Sequence, residues 1–210
     1  MDNNSQARLI LFTRYPEPGR TKTRLIPALG PQGAAALQRR MSETIVARMA
    51  EFASQYPISA EIRYADGNQQ AMEGWLAKSS IPCLDQGGGN LGDRLQRAFS
   101  QAFAQGAQRV VVIGADCPSL TPALFARAFT ALKNQDLVLG PARDGGYYLL
   151  GLNRPAPALF QDIPWGSGEV LAATMKQAQT LNLSTHTLET LADVDRPEDL
   201  RHFDHHPDPQ

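Results

Sequence analysis

Cysteine is scarce in this sequence: Cys83 and Cys117 are the only two among 210 residues. Two thiols so far apart make neither a disulfide framework nor a zinc pattern, and each reads as a buried structural thiol. No apolar run approaches the roughly 18 residues that a membrane-spanning helix needs, so none is expected. The stretch Met1–Gln6 lacks the charged-then-apolar pattern of a leader, and the expectation is a cytoplasmic protein. Neither sign of charge is in excess: 20 Lys and Arg stand against 21 Asp and Glu. A net charge of -1 does not steer a chain to nucleic acid or to an anionic membrane, and neither partner is expected. There is no Gly-x-Ser-x-Gly elbow, no P-loop Gly-Lys-Ser/Thr, no repeat and no low-complexity linker. The length suits one domain, taken as 1–204, with a loose tail at 205–210. His202, His205 and His206 look like a metal tract, but in so polar a tail they read as solvated.

What the chain does have is cations in one place. Leu9-Ile10-Leu11-Phe12 reads as a buried strand, and Arg14, Arg20, Lys22 and Arg24 follow within a loop stiffened by Pro16 and Pro18 and turned at Gly19. Arginine and lysine only donate, and the guanidinium fork matches phosphate oxygens. Phosphate binding is therefore the reading of the loop, with a solvated basic loop as the plain alternative.

A second feature agrees. Val110-Val111-Val112-Ile113 is a β-branched run of the parallel-sheet kind, and Asp116 lies just past its end. Ligands of open α/β sheets bind outside the carboxyl ends of strands. A carboxylate there can hold a divalent cation, Mg²⁺ or Mn²⁺, that bridges diphosphate oxygens. Capping a turn or the helix opened by Thr121-Pro122 is the alternative use of Asp116.

The remaining pattern alternates strands with helices. Strands are expected at 7–14, 58–64, 81–84, 109–114, 136–140, 147–152 and 183–188. Helices are expected at about 31–53, 68–78, from Asn90 to beyond Phe103, from Thr121-Pro122, at 167–181 and near Pro197. Strand 58–64 alternates apolar and polar residues, which predicts one more exposed face. The class is α/β with a mostly parallel sheet, and the short link between 140 and 147 predicts an antiparallel departure.

Three more constellations carry chemistry. Gln86-Gly87-Gly88-Gly89-Asn90 opens a helix; Gly88, Gly89 and Asn90 could bring backbone close to an anion, or could form only a tight turn capped by Asn90. Asp144-Gly145-Gly146-Tyr147 could meet an acceptor or sugar, or could be a type I′-like hairpin turn. In Asp193-Val194-Asp195 either acid could reach a metal held by Asp116, yet Asp195 with Glu198 has capping-box spacing. Trp165 could stack on a base or sugar, though a packing or lid role is the commoner one.

Taken together, Thr13-Arg14-x3-Pro18-Gly19-x2-Lys22-Thr23-Arg24-Leu25, Gln86 to Arg94, Gly114-Ala115-Asp116-Cys117-Pro118, Gly140 to Gly151 and Asp193 to Leu200 resemble a bacterial family. This is the glycosyltransferase-like family of the GT-A, or nucleotide-diphospho-sugar transferase, superfamily, some of whose members are associated with radical-SAM and selenoprotein clusters or with arsenosugar synthesis. The resemblance implies a Rossmann-like, three-layer α/β/α nucleotide-diphospho-sugar transferase fold. It implies that loop 13–25, Thr13 and Gly19 included, wraps a nucleotide, and that Asp116 is the metal position. Many glycosyltransferases carry Asp-x-Asp, whereas Pro118 stands at the second position here. A single Asp with Pro is similar to nucleotidyltransferases, and Lys22-Thr23-Arg24-Leu25 resembles the phospholactate guanylyltransferases.

The expectation is a transferase with a nucleotide donor and a small-molecule acceptor. Asp116, Lys22 and Asp144 are its catalytic candidates, and Asp116 with Asp195 its metal ligands. Arg14, Arg20, Arg24, the two glycine turns, Tyr147 and Trp165 complete the binding set. Glycosyl transfer from a nucleotide-sugar is the first version. Nucleotidyl transfer from a nucleoside triphosphate is the second, and a non-catalytic nucleotide-binding module the third. A homodimer is compatible with all three.

Overall fold

Leu9, Ile10 and Leu11 are all fully buried because the strand that carries them, β1 (Ala7–Arg14), lies inside a sheet covered on both faces. The structure, a computed structural model, describes residues 6–203; the tail expected at 205–210 and the first five residues lie outside the described residues. Along β1 and β4 (Arg109–Gly114) the pleat sends successive side chains to opposite faces. Leu9, Leu11, Val111 and Ile113 pack on one side with α1 (Ile26–Gln55), α2 (Gln69–Leu76) and α4 (Pro122–Ala131). Ile10, Val110 and Val112 pack on the other with α3 (Leu91–Ala104) and α5 (Val170–Thr180). This is the three-layer arrangement of the nucleotide-diphospho-sugar transferase fold.

The sheet has seven strands. Besides β1 and β4 these are β2 (Ser59–Ala65), β3 (Cys83–Asp85), β5 (Leu137–Pro141), β6 (Tyr147–Leu152) and β7 (Thr185–Thr187), in the order β3-β2-β1-β4-β6-β5-β7. β1 is parallel to β2 and β4, and β6 runs antiparallel to both β4 and β5. Phe12 stands opposite Gly114, and Tyr64 opposite Asp85. The segments that follow β1, β3, β4 and β5 therefore leave the sheet at one edge, which is where this architecture binds ligands.

The long helix runs from Pro31 as expected, with an extra turn set off before it by Gly30, whose φ of 68° is non-helical. Three expectations change. β7 is three residues long, not six, because it is an exposed edge that pairs only with β5. α5 starts at Val170 because Ser167 to Glu169 form a turn, with Ser167 N–H donating to Pro164 O at 3.2 Å and Glu169 N–H to Ser167 Oγ at 3.2 Å.

The third concerns β2, which has no exposed face. It lies between β1 and β3, and its polar positions Glu61 and Arg63 are buried. Arg63 Nε donates to Glu61 Oε1 at 2.6 Å, and Arg8 reaches Glu61 Oε2 at 3.5 Å and also binds Gln105 at the end of α3. Alternation was thus a record of buried charge, tolerated because each charge has a partner.

Asp136, just before β5, accepts from Arg154 Nε at 2.8 Å, Ser184 N at 2.9 Å and Ser184 Oγ at 2.8 Å. The Arg154 bond, helped by the Ser184 donors and opposed by burial, lowers its pKa from 3.8 to about 2. A carboxyl depressed in the folded state stabilises above its unfolded pKa, and that contribution is lost as pH falls through the folded one. Stability is therefore expected to drop between about pH 4 and pH 2. Asp136→Asn should remove about 1 kcal/mol of that slope, a partly exposed pair being screened. Melting curves of the two proteins from pH 5 down to 2 check it, and parallel curves would contradict it.

Candidate active site

The cationic loop is held by its own short bonds. Thr21, almost fully buried, donates from Oγ1 to Tyr15 O at 2.9 Å, and Glu17 N–H donates to the same carbonyl at 2.8 Å. Gly19 turns the chain at φ 83°, and Lys22 itself sits in the left-handed region at φ 51°. A short 3₁₀ turn, Thr23–Leu25, follows, and Leu25 is driven into a small apolar cluster with Leu37, Met41 and Val194. Anchoring Leu25 there turns Lys22 inward. Its side chain is only 4% exposed, and Nζ donates to Val194 O at 2.7 Å and meets Asp116 Oδ1 at 2.9 Å and Asp195 Oδ1 at 3.7 Å. Burial opposes the ammonium charge, but the Asp116 and Asp195 carboxylates more than offset it and raise the pKa of Lys22. Arg24 closes on the other oxygen of Asp195 at 2.5 Å.

The other cations face outward. Arg14 lies 3.3 Å from Asp66 and Arg20 3.3 Å from Glu17, both exposed pairs that hold little energy and leave the guanidinium groups free to exchange partners. Asp116 keeps half of its surface in solvent while Oδ1 is held by Lys22, and Val194 N–H donates to its carbonyl at 2.9 Å. The segment after β4 and the segment near the end of the chain are thereby joined. Asp193 is half-buried, and burial, then the charges of Asp144, Asp199 and Asp116, push its pKa up. The Cys117 thiol, pushed well up by burial and by Asp116, is an inert packing group.

Asp144 lies in the turn between β5 and β6. Its Oδ1 accepts from Gly146 N–H at 2.8 Å, and Ala142 N–H donates to Gly146 O at 3.0 Å. Only Gly145 takes a positive φ, 88°, so the turn is not type I′, which needs two. A Cβ on Gly145 would lie 2.0 Å from the Gly168 carbonyl oxygen, and Leu171 N–H donates to Gly145 O at 2.9 Å. Close packing of Gly145 against Gly168 is thus what the late start of α5 serves.

The glycine loop is shaped by two arginines of α3. Arg97 donates to the carbonyls of Gln86 and, at 3.0 Å, of Gly88; Arg94 donates to Gly89 O at 3.0 Å and Gln86 Oε1 at 3.3 Å. With these carbonyls taken, what the loop offers a ligand is amide N–H and guanidinium charge. Asn90 and Asp93 form a reciprocal capping box, with Asp93 N–H on Asn90 Oδ1 at 3.0 Å and Asn90 N–H on Asp93 Oδ2 at 2.9 Å. The buried amide of Gln86 donates to Thr13 O at 3.1 Å and Arg63 O at 3.0 Å, tying the loop to the ends of β1 and β2. An open hollow of about 460 Å³ lies here, lined by Gly88, Gly89, Asp93, Gln96, Arg97 and Ser100. It shares no lining residue with the Lys22–Asp116 cluster.

Of the residues named from sequence, Lys22, Arg24, Asp116 and Asp195 come together directly, and Asp144 joins them electrostatically through Asp193. Others are placed differently. Thr13 is buried, its hydroxyl 2.7 Å from Ser42 Oγ and accepting from Gln38 Nε2 at 3.2 Å, so it braces β1 against α1. Asp195 is not a helix cap: the last 3₁₀ turn begins at Pro197, and Asp199 accepts from Arg196 N–H at 2.8 Å, freeing Asp195 for Lys22 and Arg24. Thr121 precedes α4 without a side-chain cap bond. The Tyr147 hydroxyl is buried in the interior, and burial raises its pKa. The Trp165 indole packs on Gly92, where an added Cβ would fall 2.4 Å from Nε1.

Sequence reasoning missed Arg94, Arg97 and Arg48. Arg48 donates from α1 to Pro118 O at 2.6 Å and Leu120 O at 2.8 Å and so fixes the loop after Asp116. The spacing of Arg94 and Arg97, three apart on the helix next to the glycines, was a signal for the first two; Arg48 carried none, its partners being some 70 residues away.

The Asp116–Asp195 pair does not fit a divalent cation while Lys22 Nζ lies between the two carboxylates and Arg24 takes the outer oxygen of Asp195. Among the described residues no group of three His, Cys, Asp or Glu is placed to hold a metal ion. No helix there is long and apolar enough to cross a membrane.

A sheet edge that gathers a cationic loop, a donor-rich glycine loop and a carboxylate past β4 defines a transferase of the nucleotide-diphospho-sugar transferase type. Residues 44–167 match the family described as an uncharacterized protein conserved in bacteria (DUF2064), and the chain belongs to that family. It is similar to a candidate nucleotide-diphospho-sugar transferase from Desulfovibrio desulfuricans G20, whose crystal structure superposes with a TM-score of 0.87 at 32% identity over 95% of this chain and 86% of that one. It is also similar to the phosphoenolpyruvate guanylyltransferase of Chloroflexus aggregans, 27% identical over 184 residues, which is 87% of this chain and 90% of that protein. Rv0371c from Mycobacterium tuberculosis H37Rv, solved as a complex with manganese, shares the fold alone, with a TM-score of 0.54 at 17% identity over 93% of this chain and 95% of that one.

Proposed function

We propose that this protein is a nucleotidyltransferase that joins a nucleoside triphosphate, GTP first among them, to a phosphorylated small acid. One observation carries the reading: Lys22 and Arg24 are locked with Asp116 and Asp195 at the carboxyl edge of β1 and β4, a charged centre at the place where this fold handles a nucleotide. The relationship to a phosphoenolpyruvate guanylyltransferase over 87% of the chain supports nucleotidyl over glycosyl transfer. Pro118 at the second position of the Asp-x-Asp pattern supports the same choice.

In this reading an oxygen of the acceptor's phosphate attacks the α-phosphorus of the triphosphate. A P–O bond forms, the bond to the β-phosphate oxygen breaks, and pyrophosphate leaves. The exposed guanidinium groups of Arg14, Arg20 and Arg24 neutralise charge that develops on the phosphates. The N–H groups of Gly88 and Gly89 meet acceptor atoms of the base. Asp144, beside Asp193, orients the acceptor. Mg²⁺ or Mn²⁺ belongs to the reading through the shared fold of Rv0371c, solved with manganese, and Asp116 is the ligand it would use.

Glycosyl transfer is the second reading, favoured by the similarity at 32% identity to a candidate nucleotide-diphospho-sugar transferase. Product analysis decides between them. The protein is incubated with each nucleoside triphosphate and phosphoenolpyruvate or related phosphorylated acids, and in parallel with nucleotide-sugars. Pyrophosphate release with a product that joins the nucleotide to the acid through a diphosphate supports the proposal; a free nucleoside diphosphate formed only from nucleotide-sugars overturns it.

Asp144→Asn tests the acceptor side. Asparagine still accepts from Gly146 N–H, so the turn persists, while the charge is lost. Turnover should fall about tenfold, or about 1.4 kcal/mol in the barrier, with nucleotide affinity unchanged. Wild-type turnover would leave Asp144 a turn residue only.

A further inference from the structure

Lys22 does not behave as a side chain waiting for phosphate. Its ammonium group has three N–H donors, and three oxygens face it: Val194 O at 2.7 Å, Asp116 Oδ1 at 2.9 Å and Asp195 Oδ1 at 3.7 Å. Two carboxylates and a peptide carbonyl form a hard-oxygen set of the kind that Mg²⁺ or Mn²⁺ takes. The lysine is held in that seat from both sides. On its own segment the left-handed backbone at Lys22, the Leu25 N–H to Lys22 O bond of 2.8 Å and the buried Leu25 set its direction. Opposite, the Val194 N–H to Asp116 O bond of 2.9 Å fixes the spacing of the two acidic segments. A divalent cation among the same oxygens would be repelled by the ammonium at contact distance, since the buried lysine has little water of its own between them.

We propose that Lys22 is the resident cation of the acidic site, and that a divalent metal binds Asp116 only by displacing it. This rests on the nucleotidyltransferase reading for its meaning. The displaced ammonium moves onto the triphosphate, so metal and nucleotide each favour the binding of the other, and either alone binds weakly. Such coupling is reciprocal by linkage.

Mn²⁺ titration of the nucleotide-free protein, by calorimetry or by the electron paramagnetic resonance of free Mn²⁺, tests the proposal without any turnover. Lys22→Met removes the competing charge and keeps an unbranched side chain. It should bind Mn²⁺ at least tenfold more tightly than the wild type, and GTP should enhance Mn²⁺ binding less than it does in the wild type. Arg24→Met removes a neighbouring positive charge but leaves the seat filled, and should tighten Mn²⁺ binding far less. Equal or weaker Mn²⁺ affinity in Lys22→Met overturns the proposal, and so does equal tightening in both variants, which would mean general electrostatics.

The wild type gives a second measurement that does not depend on a variant folding. Lys22 should resist an amine-specific reagent until Mn²⁺ is added, and labelling at that residue, read by mass spectrometry, should then rise. Mn²⁺ binding without a rise overturns displacement. Product analysis remains independent: if the diphosphate-linked product forms while Mn²⁺ ignores Lys22, the function stands and the displacement falls. If the wild type and Lys22→Met both fail to bind Mn²⁺, displacement and metal use fall together.

Discussion

Asp116→Asn should lower nucleotidyl transfer a hundredfold or more, about 2.7 kcal/mol in the barrier, while the protein stays folded. The fold survives because asparagine keeps the shape and can still accept from Lys22, which retains Val194 O and Asp195. The loss follows from the proposed role of Asp116, the half-exposed carboxylate past the end of β4, whose charge Asp116→Asn removes. Asp116→Ala adds a structural cost. It deletes an acceptor of a buried ammonium, and hydrogen bonds to charged groups are worth about 1.5–3 kcal/mol. Steady-state transfer with GTP and the acceptor found by product analysis measures the first effect, and denaturant melts the second. A loss of less than tenfold in Asp116→Asn would remove Asp116 from the chemistry.

The largest effect on stability should come from β2, not from the site. Glu61→Leu leaves Arg63, the bulkiest of the fully buried side chains, without the carboxylate that it touches at 2.6 Å, and strips Arg8 of the same partner. Breaking one side of a buried pair costs about 3–5 kcal/mol, since the remaining charge is left in a poor solvent. That is a large share of the 5–15 kcal/mol typical of whole domains. The double variant Glu61→Leu with Arg63→Met should recover most of the loss, because no unpaired charge remains. Urea melts of the single and double variants decide it. If the two single losses simply add, the pair is not coupled as its geometry requires. A weakened β2 would also loosen the active edge, because Gln86 holds Arg63 O and Thr13 O together.

Most of the architecture was legible in the chain because its signals are local. The buried runs Leu9–Leu11 and Val110–Ile113 can only be interior strands, and Asn90 before α3 caps by a bond to a residue three positions on. The short β5–β6 link announced the antiparallel strand that the structure has. The edge of the sheet at which this architecture binds ligands was legible too, since in a parallel sheet the residues past the strand ends are known once the strands are. What was misread depended on partners far along the chain. Glu61 and Arg63 looked like an exposed face because alternation reports polarity and not what covers it. Asp195 looked like a cap because its spacing to Glu198 allowed one, whereas Asp199 took that place and left Asp195 to Arg24, 171 residues away.

The sequence by itself therefore determined the α/β class, the strand ends at which this architecture binds ligands and the acidic and basic residues Lys22, Arg24, Asp116 and Asp195 that meet there. Periodicity, glycine turns and strand-end positions act within a few residues and are written in order. Only the tertiary structure decided what each charge does. It turned Lys22 inward to Val194, 172 residues on, and kept Arg14 and Arg20 in water. It gave the hydroxyl of Thr13 to α1 and pressed Gly145 against Gly168. The physical reason is that the energy of a charge or a polar group depends on its distance to a partner and on the water it loses. In a folded chain both are fixed by segments that the local sequence does not contain.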